Sequence, residues 1–184
     1  MFFALSETLR TWSTPRTILI LLGLVIVLGG LFVAVGAQLG GPTPEAHFIG
    51  YSAELAFAAL EDEGERGRRL HIVLELIDLL LIPAYALLYA CTITFGFCRL
   101  LGRASALVHL NLVPLLAGLV DYAEDACWLV LLGAFPRVVD GLATLAGILT
   151  AAKWALVFAS LAVAVVALLG VAIQKAIRFG RARR

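Results

Sequence analysis

Acidic side chains recur at helical spacing inside the long apolar runs of this sequence. His71, Glu75 and Asp78 are separated by four and three residues, so a single helix would carry all three on one face. A later apolar run contains Lys153, the one basic residue within such a run. Between them, a third run would place on or beside one face the residues Asn111, Gly118, Asp121, Tyr122, Glu124, Asp125 and Trp128.

These charges are expensive at membrane depth, which makes them candidates for function. Each one costs about 2.5–3.5 kcal/mol at the centre of an inserted helix, so they must face one another, a water-filled cavity or a ligand. Lys153 neutralises one acid, and Arg66, Arg68 or Arg69 would reach down to another. We expect the remaining carboxylates to be protonated or to hold a cation.

The sequence therefore predicts a ligand- or proton-binding site in which Lys153 is the counter-ion of several acids. Its predicted members are Glu75, Asp78, Asp121, Glu124, Asp125, Lys153 and His71. The predicted pocket-lining residues beside it are Tyr85, Tyr122 and Trp128. The cofactor remains unassigned, but a divalent cation such as Mg²⁺, Ca²⁺ or Mn²⁺ would suit an oxygen-rich set. That set would be His71, Glu75, Asp78, Asp121 and Asp125.

Several functions are compatible with such a cluster. The first is a cation, proton or small-molecule site in a small transporter-like protein, since intramembrane carboxylates beside a lysine are typical of proton relays. The second is a membrane-embedded enzyme acting on a lipid or isoprenoid, although no nucleophile beside a base is visible and no catalytic residue is assigned. The third is an accessory subunit of a membrane complex. A purely structural clamp, in which buried pairs fix helix register, is the fourth.

The elements that must position these residues are transmembrane helices. Of the 184 residues, 62% are hydrophobic, and the mean hydropathy is +1.00. About 20 apolar residues span the hydrocarbon core, and only helices or closed barrels satisfy their backbone there. We predict an all-α polytopic membrane protein with one four-helix transmembrane domain and a short N-terminal interfacial helix. The predicted spans are residues 18–39, 70–98, 104–135 and 142–173, with an outer loop at 40–69.

Basic residues predict the orientation, because they concentrate in cytoplasmic segments. Nine lie before the first span, between the second and third, or after the fourth; four lie in the other two loops. Both termini are therefore predicted to be cytoplasmic, in a multi-pass inner-membrane protein. The nine are Arg10, Arg16, Arg99, Arg103, Lys175, Arg178, Arg181, Arg183 and Arg184.

Segments outside the spans carry patterns of their own. Ser52 is a candidate cap for a short helix over residues 53–61, and the acidic run 61–65 is expected to be solvated. The glycines of the first span suit close packing against another helix. The N-terminal helix is predicted to turn Phe2, Leu5, Leu9 and Trp12 to the membrane interface, and Ser6, Arg10 and Ser13 away from it.

The expected partners are the lipid bilayer and either further copies of the chain or a larger membrane complex. Nucleic-acid binding is not expected, because no basic surface with interleaved aromatic residues is present. Cys91, Cys98 and Cys127 stand in apolar runs without metal-site spacing, which indicates packing residues. A cleaved signal peptide ending near Ala37 is an alternative to the first span, but its apolar stretch is longer than a usual signal sequence.

Overall fold

The computed structural model of this protein is built from helices, which confirms the all-α prediction. It describes residues 2–39, 41, 43–102 and 105–182, and the side chains from Ser6 to Arg181 within those ranges. Four of its helical segments are long and apolar enough to cross a membrane. The helices are α1 (Phe2–Trp12), α2 (Pro15–Gly36), α3 (Ala53–Asp62), α4 (Gly64–Leu101), α5 (Val113–Ala134) and α6 (Asp140–Ala182), with 3₁₀ segments at Pro44–Ala46 and Ala106–Leu112.

The long helices form a bundle around α4. Helices α5 and α6 pack on α4 and on each other, whereas α2 packs against α4 and buries none of its own residues. One end of the bundle holds α1, the second 3₁₀ segment and the last turns of α4 and α6. The opposite end holds α3, the first turns of α4 and α6, and the end of α5. We call these the terminal end and the α3 end.

Close backbone approaches within the bundle occur at glycines other than those predicted. A Cβ atom added at Gly23, Gly29 or Gly30 of α2 would meet no atom within 4 Å, so within this chain these three glycines face open space, whereas one at Gly36 would lie 4.0 Å from Leu74 Cδ1. A Cβ at Gly96 would lie 2.6 Å from the Cβ of Ala167, so α4 and α6 touch there. This contact brings α4 and α6 together near the terminal end of the bundle.

Helix α1 forms as predicted, but its polar side is not turned to solvent. Ser6 is fully buried and Leu9 nearly so, whereas Trp12 is 55% exposed. Ser6 donates to Asn111 Oδ1 at 3.3 Å, and the Asn111 amide donates to Ser6 Oγ at 3.1 Å and to Thr94 Oγ1 at 2.9 Å. The helix is therefore tied to the bundle by buried hydrogen bonds. The predicted apolar contacts of Phe2 and Leu5, and the basic residues Arg103, Arg183 and Arg184, lie outside the described side chains.

The third span begins later as an α-helix than the sequence predicts. Residues Ala106–Leu112 form a 3₁₀ segment that contains Asn111, and α5 begins at Val113. Asn111 therefore lies at the terminal end with Ser6 and Thr94, not on the acidic stripe of α5. Pro114 occupies the first turn of α5, where its missing N–H breaks no helical hydrogen bond.

Helix α3 begins after Ser52, as the capping pattern predicts, and it lies at the opposite end of the bundle. The Leu55 N–H donates to Ser52 Oγ at 3.4 Å, which satisfies one free donor of the first turn. Ala56 and Leu60 are fully buried in one cluster with Trp128 and Leu131 of α5 and Ala143 and Ala146 of α6, so α3 covers this end of the bundle.

The segment before α3 packs along α6. Its residues Pro44 and Glu45 are buried, whereas residues 46–49 stay exposed. Residues 43–51 run along α6: Phe48 packs edge-on against Trp154 with ring centroids 4.7 Å apart, and a Cβ on Gly147 would overlap the backbone carbonyl of Tyr51. Gly50 has φ +88°, a left-handed conformation that glycine adopts without strain. Lys153 is thirteen residues into α6, so this segment reaches about 20 Å along it.

Candidate functional site

The ammonium of Lys153 lies at the centre of the candidate site. Its Nζ is 2.6 Å from Glu124 Oε2, 2.8 Å from Asp121 Oδ1 and 3.7 Å from Glu45 Oε2. Lys153 is only 5% exposed and the three carboxylates are 8% exposed or less. One lysine of α6 therefore joins α5 to the segment before α3. The predicted partner Asp125 is not among these contacts, whereas Glu124, which lies off the predicted stripe, makes the shortest one.

Neutral hydroxyl groups orient two of these carboxylates. Tyr85 of α4 donates to Asp121 Oδ2 at 2.7 Å. Thr150, one turn before Lys153 on α6, donates to Glu124 Oε1. Each carboxylate thus has one oxygen toward the ammonium and the other toward a hydroxyl donor, an arrangement that fixes its orientation.

Glu45 is a member of the site that the sequence did not predict. It stands in the 3₁₀ turn Pro44–Ala46, in a segment rich in glycine and proline that was expected at the surface. Trp154 Nε1 donates to the Glu45 carbonyl at 3.1 Å, which holds this turn against α6. Its Oε1 atom is buried and has no hydrogen-bond partner. No helical repeat in the sequence indicates that Glu45 belongs to the site, because its position depends on packing against a helix more than 100 residues later.

A group of three aspartates lies next to Lys153. Three carboxylate oxygens lie within 4.8 Å of one another, one each from Asp78, Asp121 and Asp125. Asp125 is fully buried, and neither of its oxygens has a hydrogen-bond partner. We call Glu45, Asp78, Asp121, Glu124, Asp125 and Lys153 together the acidic layer.

The remaining predicted residues, His71 and Glu75, form a neighbouring group at the α3 end. His71 Nδ1 lies 2.8 Å from Glu63 Oε1, and His71 Nε2 lies 3.3 Å from Glu75 Oε1. The expectation that the whole run 61–65 is solvated is wrong at Glu63, whose side chain is 9% exposed. The His71 ring also packs on Trp128 at 5.0 Å.

The basic residues at the start of α4 do not reach these acids. Arg68 donates to the Leu60 carbonyl at 2.7 Å, and its guanidinium lies over the Phe135 ring at 4.2 Å. Arg69 pairs with Glu65 at the surface, and Arg66 is exposed. Within the described part of the chain, Lys153 is therefore the only Lys or Arg paired with an acid of the acidic layer.

Two groups of ligand atoms could hold a metal ion. They are the three aspartates described above and the set Glu45, His71 and Glu75, whose ligand atoms also lie within 4.8 Å of one another. The predicted single metal set is therefore divided into two. Carboxylate oxygens in the aspartate group suit Mg²⁺ or Ca²⁺, although Lys153 already neutralises part of the charge on Asp121.

A cavity of about 500 Å³ opens onto the acidic layer. It lies between α2 on one side and α6 on the other, with α4 behind it and the segment containing Glu45 beside it. Asp78, Asp121, Glu45 and Lys153 form its polar part. Pockets of about 300–1,000 Å³ with apolar walls and a few convergent polar groups are typical of small-molecule sites.

The three predicted pocket-lining residues have different positions. Tyr85 lines the cavity. Tyr122 is 37% exposed and donates to the Leu79 carbonyl at 3.0 Å, and Trp128 is fully buried between His71 and Tyr51. Burial raises the pKa of the Tyr51 hydroxyl above its ordinary value, so this residue adds no charge near Glu124.

Comparison with protein-family models, with curated proteins and with solved structures gave no match to this chain.

Proposed function

We propose that this protein is a small transporter-like membrane protein whose acidic layer binds a cation or a small molecule. The observation that carries the proposal is the excess of acid beside a cavity of about 500 Å³: three carboxylates contact one ammonium, and two further aspartates lie next to Asp121. Charges removed from water need partners of opposite sign or a proton. A positively charged ligand, or protons exchanged for it, would supply the missing positive charge.

We further propose that the protein lies in the inner membrane with its termini in the cytoplasm. The support is the distribution of basic residues, nine on the terminal side against four on the other. In this orientation the α3 end faces outward, and the acidic layer would exchange its ligand with that side or with the lipid.

Chemical analysis of the purified protein tests the proposal. Wild-type protein and the variants Asp121→Asn and Glu75→Gln are purified in mild detergent, and each is measured for bound metals, extracted small molecules and proton release on ligand addition. We expect wild-type protein to retain a ligand, or to release protons, near one equivalent and Asp121→Asn to lose this. If Asp121→Asn matches wild type in occupancy, proton release and thermal stability, the acidic layer is neither a site nor a clamp; the same result for Glu75→Gln excludes the neighbouring group with His71 in the same way. A co-purified isoprenoid or lipid that is turned over would favour the enzyme alternative.

The accessory-subunit alternative has one observation in its favour. Helix α2 buries none of its residues, and added Cβ atoms at Gly23 and Gly30 would meet nothing within 4 Å. A second membrane protein could pack against this face. Native pull-down in mild detergent decides between the two proposals. A stoichiometric partner that is lost in Gly30→Leu and retained in Gly133→Leu would favour the accessory-subunit alternative. A chain that purifies alone would favour the ligand-binding proposal.

A further inference from the structure

Aromatic side chains form a large part of the cavity wall. They come from α2, from the segment containing Glu45, from α4 and from α6, so four separate parts of the chain contribute them. Ring faces carry partial negative charge and attract cations, and cages of such rings recognise quaternary ammonium groups. The aromatic residues are Phe32, Phe48, Tyr85, Tyr89 and Trp154.

The carboxylates that face the same cavity outnumber Lys153, and Glu45 Oε2 lies as far as 3.7 Å from its ammonium. The Lys153 ammonium is held by Asp121 and Glu124 at 2.8 and 2.6 Å, and Asp78 is not among its ion pairs. Glu45 is 8% exposed, and its Oε1 atom is buried without a hydrogen-bond partner. With Glu45, Asp78 and Asp121 ionised against one Lys153, the net charge beside the cavity is negative, which favours a positively charged ligand over an anion or a neutral molecule.

The size and composition of the cavity distinguish an organic cation from an inorganic one. About 500 Å³ exceeds what a single metal ion requires, and the wall contributed by α2 is apolar, with Val25, Phe32 and Val33. An ion on the carboxylates alone would leave this wall without a partner. A ligand with an apolar body and one positive centre would contact both parts of the cavity.

We propose that the cavity binds a hydrophobic organic cation, with its positive centre beside Glu45, Asp78 and Asp121 and its apolar body against the aromatic wall. This inference rests on the proposed ligand-binding function and names the ligand class. Transport of such a cation would couple to protons if its arrival displaced protons from the carboxylates.

Two ions of nearly equal size and shape but opposite charge provide the test. Wild-type protein in lipid nanodiscs is dialysed to equilibrium against tetraphenylphosphonium or tetraphenylborate, and binding to empty nanodiscs is subtracted. We expect saturable binding of the phosphonium near one equivalent and none of the borate. Equal binding of both ions, or no saturable binding of the phosphonium, would overturn the inference on wild-type protein alone.

Variants locate the binding site. Asp78→Asn is expected to weaken phosphonium binding by at least about tenfold, whereas Asp140→Asn, at the exposed start of α6, leaves it unchanged. Tyr89→Leu should weaken it by about three- to tenfold, and Tyr89→Phe, which keeps the ring, should not. Unchanged binding in Asp78→Asn and Tyr89→Leu would place the phosphonium elsewhere and contradict the inference.

The failure of this inference can be distinguished from failure of the proposed function. If the phosphonium does not bind, but a metal or a neutral small molecule co-purifies with wild-type protein and is lost in Asp121→Asn, the ligand class is wrong and the binding function stands. If neither the phosphonium nor any extracted ligand depends on the acidic layer, both proposals are wrong.

Discussion

Two of the buried polar clusters, the cluster of Ser6, Thr94 and Asn111 at the terminal end and the acidic layer, differ in charge and in how well their groups are paired. At the terminal end, Ser6, Thr94 and Asn111 come from three different helical segments and form a neutral triad within 3.3 Å. In the acidic layer, Asp125 has two buried oxygens without a hydrogen-bond partner, and Glu45 has one.

This difference separates a structural tie from a candidate site. A buried network whose donors and acceptors match stabilises a fold without any ligand, whereas a partly satisfied network is costly. The neutral triad therefore explains how α1 is held to the bundle. The acidic layer is more costly than any clamp requires, because one lysine with one or two acids would already fix the register of α5 and α6.

The largest expected effect comes from removing the only ammonium of the acidic layer. Lys153→Met leaves three buried carboxylates without their counter-ion, and we expect the free energy of unfolding to fall by about 3–5 kcal/mol. Thermal or denaturant unfolding in one detergent measures it. Lys175→Met provides the matched control, since Lys175 lies on the same helix and is exposed.

Restoring charge balance should recover part of that loss. Adding Asp121→Asn and Glu124→Gln to Lys153→Met removes two of the charges left unpaired, so the triple variant should be more stable than Lys153→Met alone. A triple variant less stable than Lys153→Met would mean that unpaired negative charge in the acidic layer does not determine the stability of the protein.

A second, smaller effect is expected where the segment containing Glu45 touches α6. The methyl group of Gly147→Ala would overlap the Tyr51 carbonyl, so this segment must move away from α6, at a cost of about 1–3 kcal/mol. We expect both lower thermal stability and weaker tetraphenylphosphonium binding. Gly133→Ala, where an added Cβ meets nothing within 4 Å, should change neither. Wild-type behaviour of Gly147→Ala would mean that this segment does not form the cavity wall.

The smallest effect should come from the neutral triad, and it should affect stability alone. Asn111→Leu leaves the Ser6 hydroxyl without its buried partner and removes the N–H that Thr94 Oγ1 accepts, while Thr94 still donates to the Ala90 carbonyl; the free energy of unfolding should fall by about 1–2 kcal/mol. Phosphonium binding per folded molecule should stay at the wild-type value. Adding Ser6→Ala and Thr94→Val should return stability toward wild type, because replacing all partners by apolar groups is nearly neutral. A loss of binding in Asn111→Leu would show that the two clusters are coupled.

Helical periodicity explains how much of this arrangement could be predicted from the sequence. The spacing of Asp78 on one helix and of Asp121 and Asp125 on another is a local property, and the structure brings these three together. Ser52 as the cap of α3 is likewise a local pattern.

The remaining members depend on contacts between distant parts of the chain. Glu45 reaches Lys153 because Trp154 and Gly147 provide a surface for its segment, and no local pattern indicates this. Glu63 is buried because its carboxylate contacts His71. Ser6 is buried because it hydrogen-bonds to Asn111, which lies 105 residues later in the chain. Polarity alone predicted that Glu63 and Ser6 would face solvent.

The most direct test of whether the acidic layer is a binding site is the thermal unfolding midpoint of Asp78→Asn. It is compared with the midpoint of wild type in the same detergent, without added ligand. If the acidic layer is a site with surplus charge, removing one surplus acid should raise the midpoint by about 2–4 °C while weakening phosphonium binding by at least about tenfold. A lower midpoint together with unchanged binding would mean that Asp78 belongs to a structural clamp, and would contradict the proposal that surplus negative charge in the acidic layer serves to bind a ligand.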